Sequence, residues 1–209
     1  MPDDVYGEIF NRRQLERAAA VTLNAWLSAH LAVQERQEGL DPATLKPIAS
    51  WWTVEEFDLE AHKKLPAIVI VSPGTTGKVE RNGRGELSAW WAVQVVAAVP
   101  GKHETEVRDL SPLYSAAVRG AFLQGGRAPE PANGIGTVAQ RVRWTGEDSA
   151  FGATRNHAQR ALEENSFEVL IPNVLTDLGG PDVPPPDPHG PPLEPLEIAD
   201  ARLDVNRST

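Results

Sequence analysis

The sequence predicts an α+β fold: a mixed, mostly antiparallel sheet flanked by two helices, followed by an extended proline-rich C-terminal arm. Three observations lead to this prediction. Apolar residues recur at helical spacing in two segments, 4–36 and 102–124. Short apolar runs rich in β-branched and aromatic residues lie between and after these segments. After about residue 172 the composition changes to proline and acid, which cannot form a core.

The composition excludes several classes of function. The chain has 209 residues, a formal net charge of −9 and no cysteine. An acidic balance argues against nucleic acid as the main partner, because phosphate binding needs a surplus of Lys and Arg. Without cysteine there are no disulfides and no thiolate metal sites. The start MPDDVYGEIFNRR lacks the pattern of a signal peptide, so we expect a protein of the cytosol or of a particle assembled there.

The first helix is predicted over 4–36, with an apolar face made by residues three and four apart. This face consists of Leu15, Ala19, Leu23, Trp26, Leu27, His30 and Leu31. Asp3 or Asp4 is expected to cap its start, and Gly39 lies just past its end. We expect His30 to be a hydrogen-bonded core or boundary residue and not a ligand.

The segment after this helix is predicted to form two strands and a turn. A connector with two prolines spans 40–50, and SWWTVEEF predicts a first short strand. LPAIVIVS, 65–72, predicts a second strand, closed by Pro73-Gly74. The glycine-rich segment 74–85, with Asn82-Gly83 as a turn signal, predicts a loop or hairpin tip.

The most apolar stretch is ELSAWWAVQVVAAVPG, 86–101. As a helix it would be apolar on every side, whereas Trp and Val favour a pleated surface. We therefore predict a long central strand, antiparallel to 65–72 and covered on both faces. The stretch is too short for a bilayer, which needs about 20 apolar residues, and no membrane partner is expected. The pairs Trp51-Trp52 and Trp90-Trp91 are expected to be core and sheet-face residues and not an exposed ligand platform.

The second helix is predicted over 102–124, with Gly125-Gly126 ending it. Pro112 is expected either to kink this helix or to start it, with Ser111 as the cap. A loop at 127–136 and a half-exposed strand at 137–147 follow. A last strand is predicted around SFEVLIP, 166–172, in the segment that begins at residue 158.

No catalytic or cofactor motif holds in its context. AIVIVSPGTTGKV fails as a phosphate loop, because Ser72 replaces the first glycine and Val79 replaces the Mg²⁺-binding Ser or Thr. GIGTVA is expected to enter a strand, whereas a dinucleotide turn enters a helix. The five histidines have no metal-ligand spacing, and the adjacent pairs Glu55-Glu56 and Glu163-Glu164 are expected to be solvated surface. Neither a cofactor nor an enzymatic activity is predicted.

The tail carries more than half of the net charge. Residues 173–209 contain seven acids and two bases, which gives −5. The stretch from Pro181 to Pro192 favours polyproline II and could reach roughly 35 Å. The end, PLEIADARLDV, is apolar enough to dock. The tail is therefore either an arm that grips a neighbour or a disordered acidic segment.

Three segments resemble the tail terminator proteins of long-tailed phages, in particular those of actinobacteria. LSPLYSAAVRGAFLQ resembles the second helix of that family, and RVRWTGED with NSFEVLIPNV resembles its paired C-terminal strands. The resemblance covers roughly 5–175, taken as the tail-terminator-like domain 1–175, whereas the arm 176–209 departs from the family pattern.

The resemblance implies a non-enzymatic virion protein of the tail and neck, assembled in the host cytoplasm. Such proteins form a hexameric ring that caps the major tail tube protein and presents a surface to the head-completion, or stopper, protein. DNA passes through the channel without specific binding, which suits an acidic chain.

Partner contacts are expected in the Gly74–Gly85 loop and in the arm. The candidate residues are Gly74, Thr75, Thr76, Lys78, Arg81, Arg84, Pro184, Pro185, Leu196, Ile198 and Leu203. One alternative function is another connector component, a stopper or an adaptor, and a mostly helical adaptor would be recognised by circular dichroism. The other is a small α/β ligand-binding domain or enzyme that uses the Gly74–Gly85 loop, in which nucleotide binding would be lost on Lys78→Ala.

Overall fold

The computed structural model describes residues 10–52, 64–77, 79–81, 87–153 and 159–175. Its elements in chain order are α1 Arg12–Gln37, β1 Ser50–Trp52, β2 Ala67–Thr75, β3 Glu80–Arg81, β4 Leu87–Gly101, α2 Glu104–Gly125, α3 Ile135–Val138, β5 Arg141–Ala153 and β6 Gln159–Leu175.

The strands form one mixed sheet, and the predicted α+β class is confirmed. The spatial order of five strands is β1-β2-β4-β6-β5. The short strand β3 pairs with β4 in addition to these. The β1–β2 pair is parallel, and the other pairs are antiparallel. The central strand β4 therefore lies between β2 and β6, as the prediction for 86–101 required.

Strand β4 has two unequal faces. Val93, Val95, Ala97 and Val99 are buried beneath the helices, on the same face as Trp91. On the other face Ala98 is buried, whereas Trp90, Ala92, Gln94 and Val96 are only half-buried. The expectation of a strand covered on both faces is therefore wrong for the middle of β4, because α1 and α2 both contribute to the core on one face.

Helix α1 starts later than predicted. Asn11 is the N-cap, and it forms a capping box in which its side chain accepts from the Gln14 backbone N–H at 3.1 Å. The expected caps, Asp3 and Asp4, lie outside the described residues. A helix begins where side chains can satisfy its first free N–H groups, and here Asn11 and Gln14 do so reciprocally. Gly39, with φ +66°, lies just past the end, as predicted.

Helix α2 continues through Pro112, so this proline does not start the helix and Ser111 is not its cap. The helix starts at Glu104 with His103 as N-cap, and Ser111 is a fully buried interior residue. Proline removes one hydrogen bond from the helix ladder, but packing of the apolar face retains the helix. The face is buried as predicted at Val107, Tyr114, Ala117, Val118 and Ala121.

Strand β2 extends beyond the predicted stop at Pro73-Gly74. The register between β2 and β4 shifts between Val71 and Gly74, which marks a bulge. Ser72 anchors it, donating its backbone N–H to the Glu16 carboxylate at 2.9 Å and its hydroxyl to the Ala92 carbonyl at 2.8 Å. Proline has no N–H to donate to the ladder, and a bulge is a position where this is tolerated.

The C-terminal half departs from prediction before β5 and in the length of β6. GIGTVA enters the short helix α3 and not a strand, and β5 starts only at Arg141. Residue Ile135 is fully buried, and its backbone N–H donates to the Thr22 hydroxyl at 2.7 Å. This contact with α1 holds α3 on the core, which the local alternation of 137–147 could not show. The last strand, β6, is longer than predicted.

One hydrophobic cluster joins both long helices to the sheet. At its centre Phe122 of α2 stacks on Phe167 of β6, with ring centroids 4.1 Å apart and planes inclined by 22°. Across the described part of the chain, no helix combines the length and apolarity that crossing a bilayer requires.

Candidate interaction surface

Four of the predicted contact residues lie together at one end of the sheet, here called the hairpin end. Gly74 lies opposite Ala92 and Thr75 opposite Trp91, so both belong to β2 and not to a loop. The backbone N–H of Thr76 donates to the Trp90 carbonyl at 2.7 Å. Arg81 lies in β3, opposite Leu87. Lys78 and Arg84 lie outside the described residues.

Helix α1 begins at the same end. Phe10 packs edge-to-face on Trp91, with ring centroids 5.9 Å apart. Its backbone N–H donates to the Val174 carbonyl at 3.3 Å, which ties the start of α1 to the end of β6. Arg13 and Arg17 are exposed on the first turns of α1. The first turns of α1 therefore carry exposed arginines, and Val79, which precedes β3, is half-exposed.

The predicted arm residues lie outside the described part of the chain. They are Pro184, Pro185, Leu196, Ile198 and Leu203. Strand β6 ends at Leu175, opposite Leu87 of β4. The chain therefore leaves the described fold at the hairpin end.

A second surface was not predicted, and it follows the outer strand β5. Trp144 is 41% exposed and Phe151 46% exposed, although both lie on the helix side of the sheet. An arginine of α2 covers each ring: Arg119 lies 4.9 Å from the Trp144 centroid, and Arg108 lies 5.4 Å from that of Phe151. Such cation–π contacts hold the rings in place and leave their outer edges accessible.

Sequence reasoning predicted a strand through Trp144 but not this exposure. The available signal was the alternation of Val142 and Trp144 with Arg141 and Arg143. Alternation gives the two faces of a strand, but it does not show whether the strand lies at the centre or the edge of the sheet. That position depends on tertiary order, in which β5 is the last strand.

A line of polar side chains connects α2 to β5 and β6. The Asn165 amide donates to the Ser115 hydroxyl at 2.7 Å, and Ser115 in turn donates to the Glu147 carboxylate. Arg119 donates to the other oxygen of Glu147 at 2.7 Å. Since Asn165 and Ser115 are fully buried, these bonds fix how α2 sits on the sheet.

The same layer contains polar atoms without a protein partner. These atoms are Ser111 Oγ, Glu163 Oε1 and Asn165 Oδ1, each in a side chain at most 1% exposed. The second oxygen of Glu163 accepts from the Ser149 hydroxyl at 2.6 Å, so this carboxylate belongs to the buried layer and is not the solvated surface that was predicted. Buried polar atoms of this kind reduce the stability of the layer unless water reaches them.

Two further titratable side chains, His30 and Tyr114, form hydrogen bonds within the fold. His30 Nε2 lies 2.8 Å from Gln124 Oε1, which confirms the expected hydrogen-bonded boundary histidine. Burial raises the pKa of Tyr114 above its ordinary value, although its hydroxyl donates to the Lys46 carbonyl at 2.9 Å. Within the described ranges, no group of three His, Asp or Glu side chains is arranged to hold a metal ion.

One concave region lies at the end of α1. It has a volume of about 380 Å³ and is lined by Ala29, Ala32, Glu35, Arg36, Leu40 and Pro42. The Glu35 carboxylate accepts from the Leu45 backbone N–H at 2.8 Å. This carboxylate therefore anchors the following connector.

Neither a protein-family model nor a curated protein sequence matches this chain. Its function is therefore inferred from its residues and their geometry.

Proposed function

We propose that the chain is a structural protein of a phage virion: a tail terminator that forms a ring, closes the tail tube and joins it to the head-completion protein. One observation carries the proposal. The three segments that resemble tail terminators, which are separate in sequence, fall on α2, β5 and β6, and these elements pack together.

Specific side chains make this contact. Phe122, in the first segment, stacks on Phe167, in the third. Arg119, also in the first, forms an ion pair with Glu147, in the second. A chance likeness of three short segments would not require them to contact one another, so their mutual packing supports a common structural unit.

The architecture supports a terminator over a mostly helical adaptor. The described sheet has six strands, and α1 and α2 pack on one face of it. A mostly helical adaptor would not contain such a sheet. Thr76 and Arg81 lie at the hairpin end, where the described chain also leaves toward the arm. We therefore assign the hairpin end and the arm to partner contacts, with the tube protein, the stopper protein and neighbouring copies as the partners.

The test is removal of the gene from the phage that carries it. We expect tail tubes of uncontrolled length without heads, because nothing ends polymerisation or presents a neck surface. Purified full-length chain added to head-free tails should restore joining to heads. The negative control is the Phe167→Ala chain, which lacks the stacked pair that joins two of the resembling segments and should not restore joining.

Two results would refute the proposal. One is a set of particles with normal tails and heads after gene removal. The other is full-length chain that stays monomeric in the presence of tail tubes and never co-sediments with them.

A further inference from the structure

Strand β5 is the last strand of the described sheet. Among the described strands it pairs only with β6, and its 13 residues, Arg141–Ala153, make it a long edge. The opposite edge, β1, has three residues. A long edge with unpaired N–H and C=O groups and exposed aromatic rings is a template for an added strand.

The start of this edge has a distinct chemical pattern. Register with β6 puts Val142 and Trp144 on the helix side of the sheet, and Arg141 and Arg143 on the other side. Arg143 is 58% exposed although it pairs with Glu168 and lies 4.3 Å from the Trp90 ring centroid. A complementary strand would carry two apolar side chains on one face and an acid between them on the other.

The C-terminal segment contains such a pattern. Leu196-Glu197-Ile198 places an acid between two aliphatic residues, and Pro195 and Ala199, which share the face of Glu197 in a strand, carry no charge. A second triplet, 203–205, has the same pattern, but Arg202 lies on the same face as its central acid, Asp204, and would lie on the face that carries Arg141 and Arg143. Charge complementarity therefore favours the first triplet.

The chain is long enough to bring this triplet to another copy. Twenty residues separate Leu175, the last described residue, from Leu196. At about 3.1 Å per residue a proline-rich tether of this length spans roughly 60 Å. That reach exceeds the length of β5, which is on the order of 40 Å at the usual rise of a strand.

We propose that residues 196–198 of one copy add to β5 of a neighbouring copy as an antiparallel strand. Leu196 then lies opposite Trp144, Glu197 opposite Arg143 and Ile198 opposite Val142. The choice of a neighbouring copy rests on the proposed function, because a ring needs contacts that run from each copy to the next.

Disulfide trapping tests this pairing. Because the chain has no native cysteine, only the introduced cysteines can form disulfides. Opposed residues of an antiparallel pair lie at Cα distances that a disulfide can bridge. Arg143→Cys protein and Glu197→Cys protein, each in the full-length chain with a different tag, are mixed and oxidised. We expect a disulfide-linked dimer containing both tags. The matched control is Asp204→Cys, the central acid of the second triplet, which should give about tenfold less dimer because it lacks the local effective concentration of a docked strand.

Three outcomes overturn the proposal. The first is that no disulfide-linked dimer with both tags forms. The second is that Glu197→Cys and Asp204→Cys give equal yields of this dimer. The third is that a chain carrying both Arg143→Cys and Glu197→Cys forms only an intramolecular disulfide. The result is independent of the gene-removal test. A mixed dimer from a protein that never joins tails refutes the proposed function alone, whereas normal joining without the dimer refutes this pairing alone.

Discussion

Phe122 of α2 and Phe167 of β6 form a stacked pair, and both side chains are at most 1% exposed. The stack fastens the second helix to the strand that joins the centre of the sheet to its edge. Because the rings lie in the single core cluster, they contribute to the stability of the whole described fold.

Truncation of this stack should be strongly destabilising. We expect Phe167→Ala to lower the free energy of unfolding by about 3–5 kcal/mol, since it leaves a cavity in a close-packed core. Phe151→Ala is the matched control: its ring is 46% exposed on the same face of the sheet, and the change should be well under half as large. Urea denaturation followed by circular dichroism measures both. Equal losses would contradict the assigned core.

Asn165→Ala should also destabilise the protein, through polar groups. The variant removes the donor to Ser115 Oγ within a fully buried layer, and we expect a loss of about 1–3 kcal/mol. Ser166→Ala, the next residue and half-buried on the opposite face, should change stability by less than about 0.5 kcal/mol. Thermal and urea unfolding compare the two variants. A larger effect from Ser166→Ala would contradict the register of β6.

Alanine substitutions at Gly136 and Gly146 should differ in their effect on stability, because only Gly136 lies in close contact with other atoms. A Cβ at Gly136 would overlap the backbone carbonyls of Ala128 and Gly125, whereas a Cβ at Gly146 meets nothing within 4 Å. We expect Gly136→Ala to cost about 1–3 kcal/mol by overpacking, and Gly146→Ala to be close to neutral. Thermal unfolding of both variants is the measurement. A neutral Gly136→Ala would show that α3 does not pack against the end of α2 as described.

Burial of the Tyr114 phenol should make the protein less stable at alkaline pH. Burial raises the pKa of its phenol in the folded protein, so the unfolded chain releases this proton first, near its ordinary pKa of about 10. The contribution of the protonated Tyr114 phenol to the free energy of unfolding is therefore complete below about pH 10, and it decreases as the pH rises further. Tyr114→Phe should be about 1 kcal/mol less stable at pH 8, because the bond to Lys46 is lost.

The difference between wild type and Tyr114→Phe should shrink above pH 10. Urea denaturation of both proteins at several pH values measures it. A constant difference across this range would contradict the burial of Tyr114.

Removal of the arm, residues 176–209, should leave folding unchanged and weaken assembly. A chain ending at residue 175 keeps every described element, so we expect the same circular dichroism spectrum and cooperative unfolding as for the full chain. Its assembly onto tails should be weakened, because the segment proposed to bind the neighbouring copy is missing. Normal assembly by the truncated chain would show that the arm contributes nothing to joining.

Strong periodicity explains what could be predicted from the sequence. The apolar stripe of α1 and the β-favouring run of β4 are local patterns, and both elements form where those patterns lie. The possibility that Pro112 starts α2 is wrong, because burial of Val107 before the proline and of Tyr114 after it stabilises one continuous helix. Pro73 misled the prediction for β2, because a bulge anchored by Ser72 and Glu16 depends on a residue 56 positions away.

In the candidate surface, too, local sequence patterns predict some features, whereas tertiary contacts determine others. Alternation predicts that Trp144 and Arg143 point to opposite faces of a strand, and the register confirms it. Their position at the edge of the described sheet follows from strand order, which pairings between distant residues determine. The buried layer around Asn165 and Glu163 gave no signal, since an isolated polar residue in a strand is more often exposed than buried.

Electron microscopy of purified tails tests the central claim most directly. Tails from the phage that carries the gene would be imaged with the chain tagged at its N-terminus and labelled through the tag. We predict a ring of copies at the end of the tube that meets the head, and at no other position along the tail. Label absent from the tail, or spread along the tube, would contradict the account.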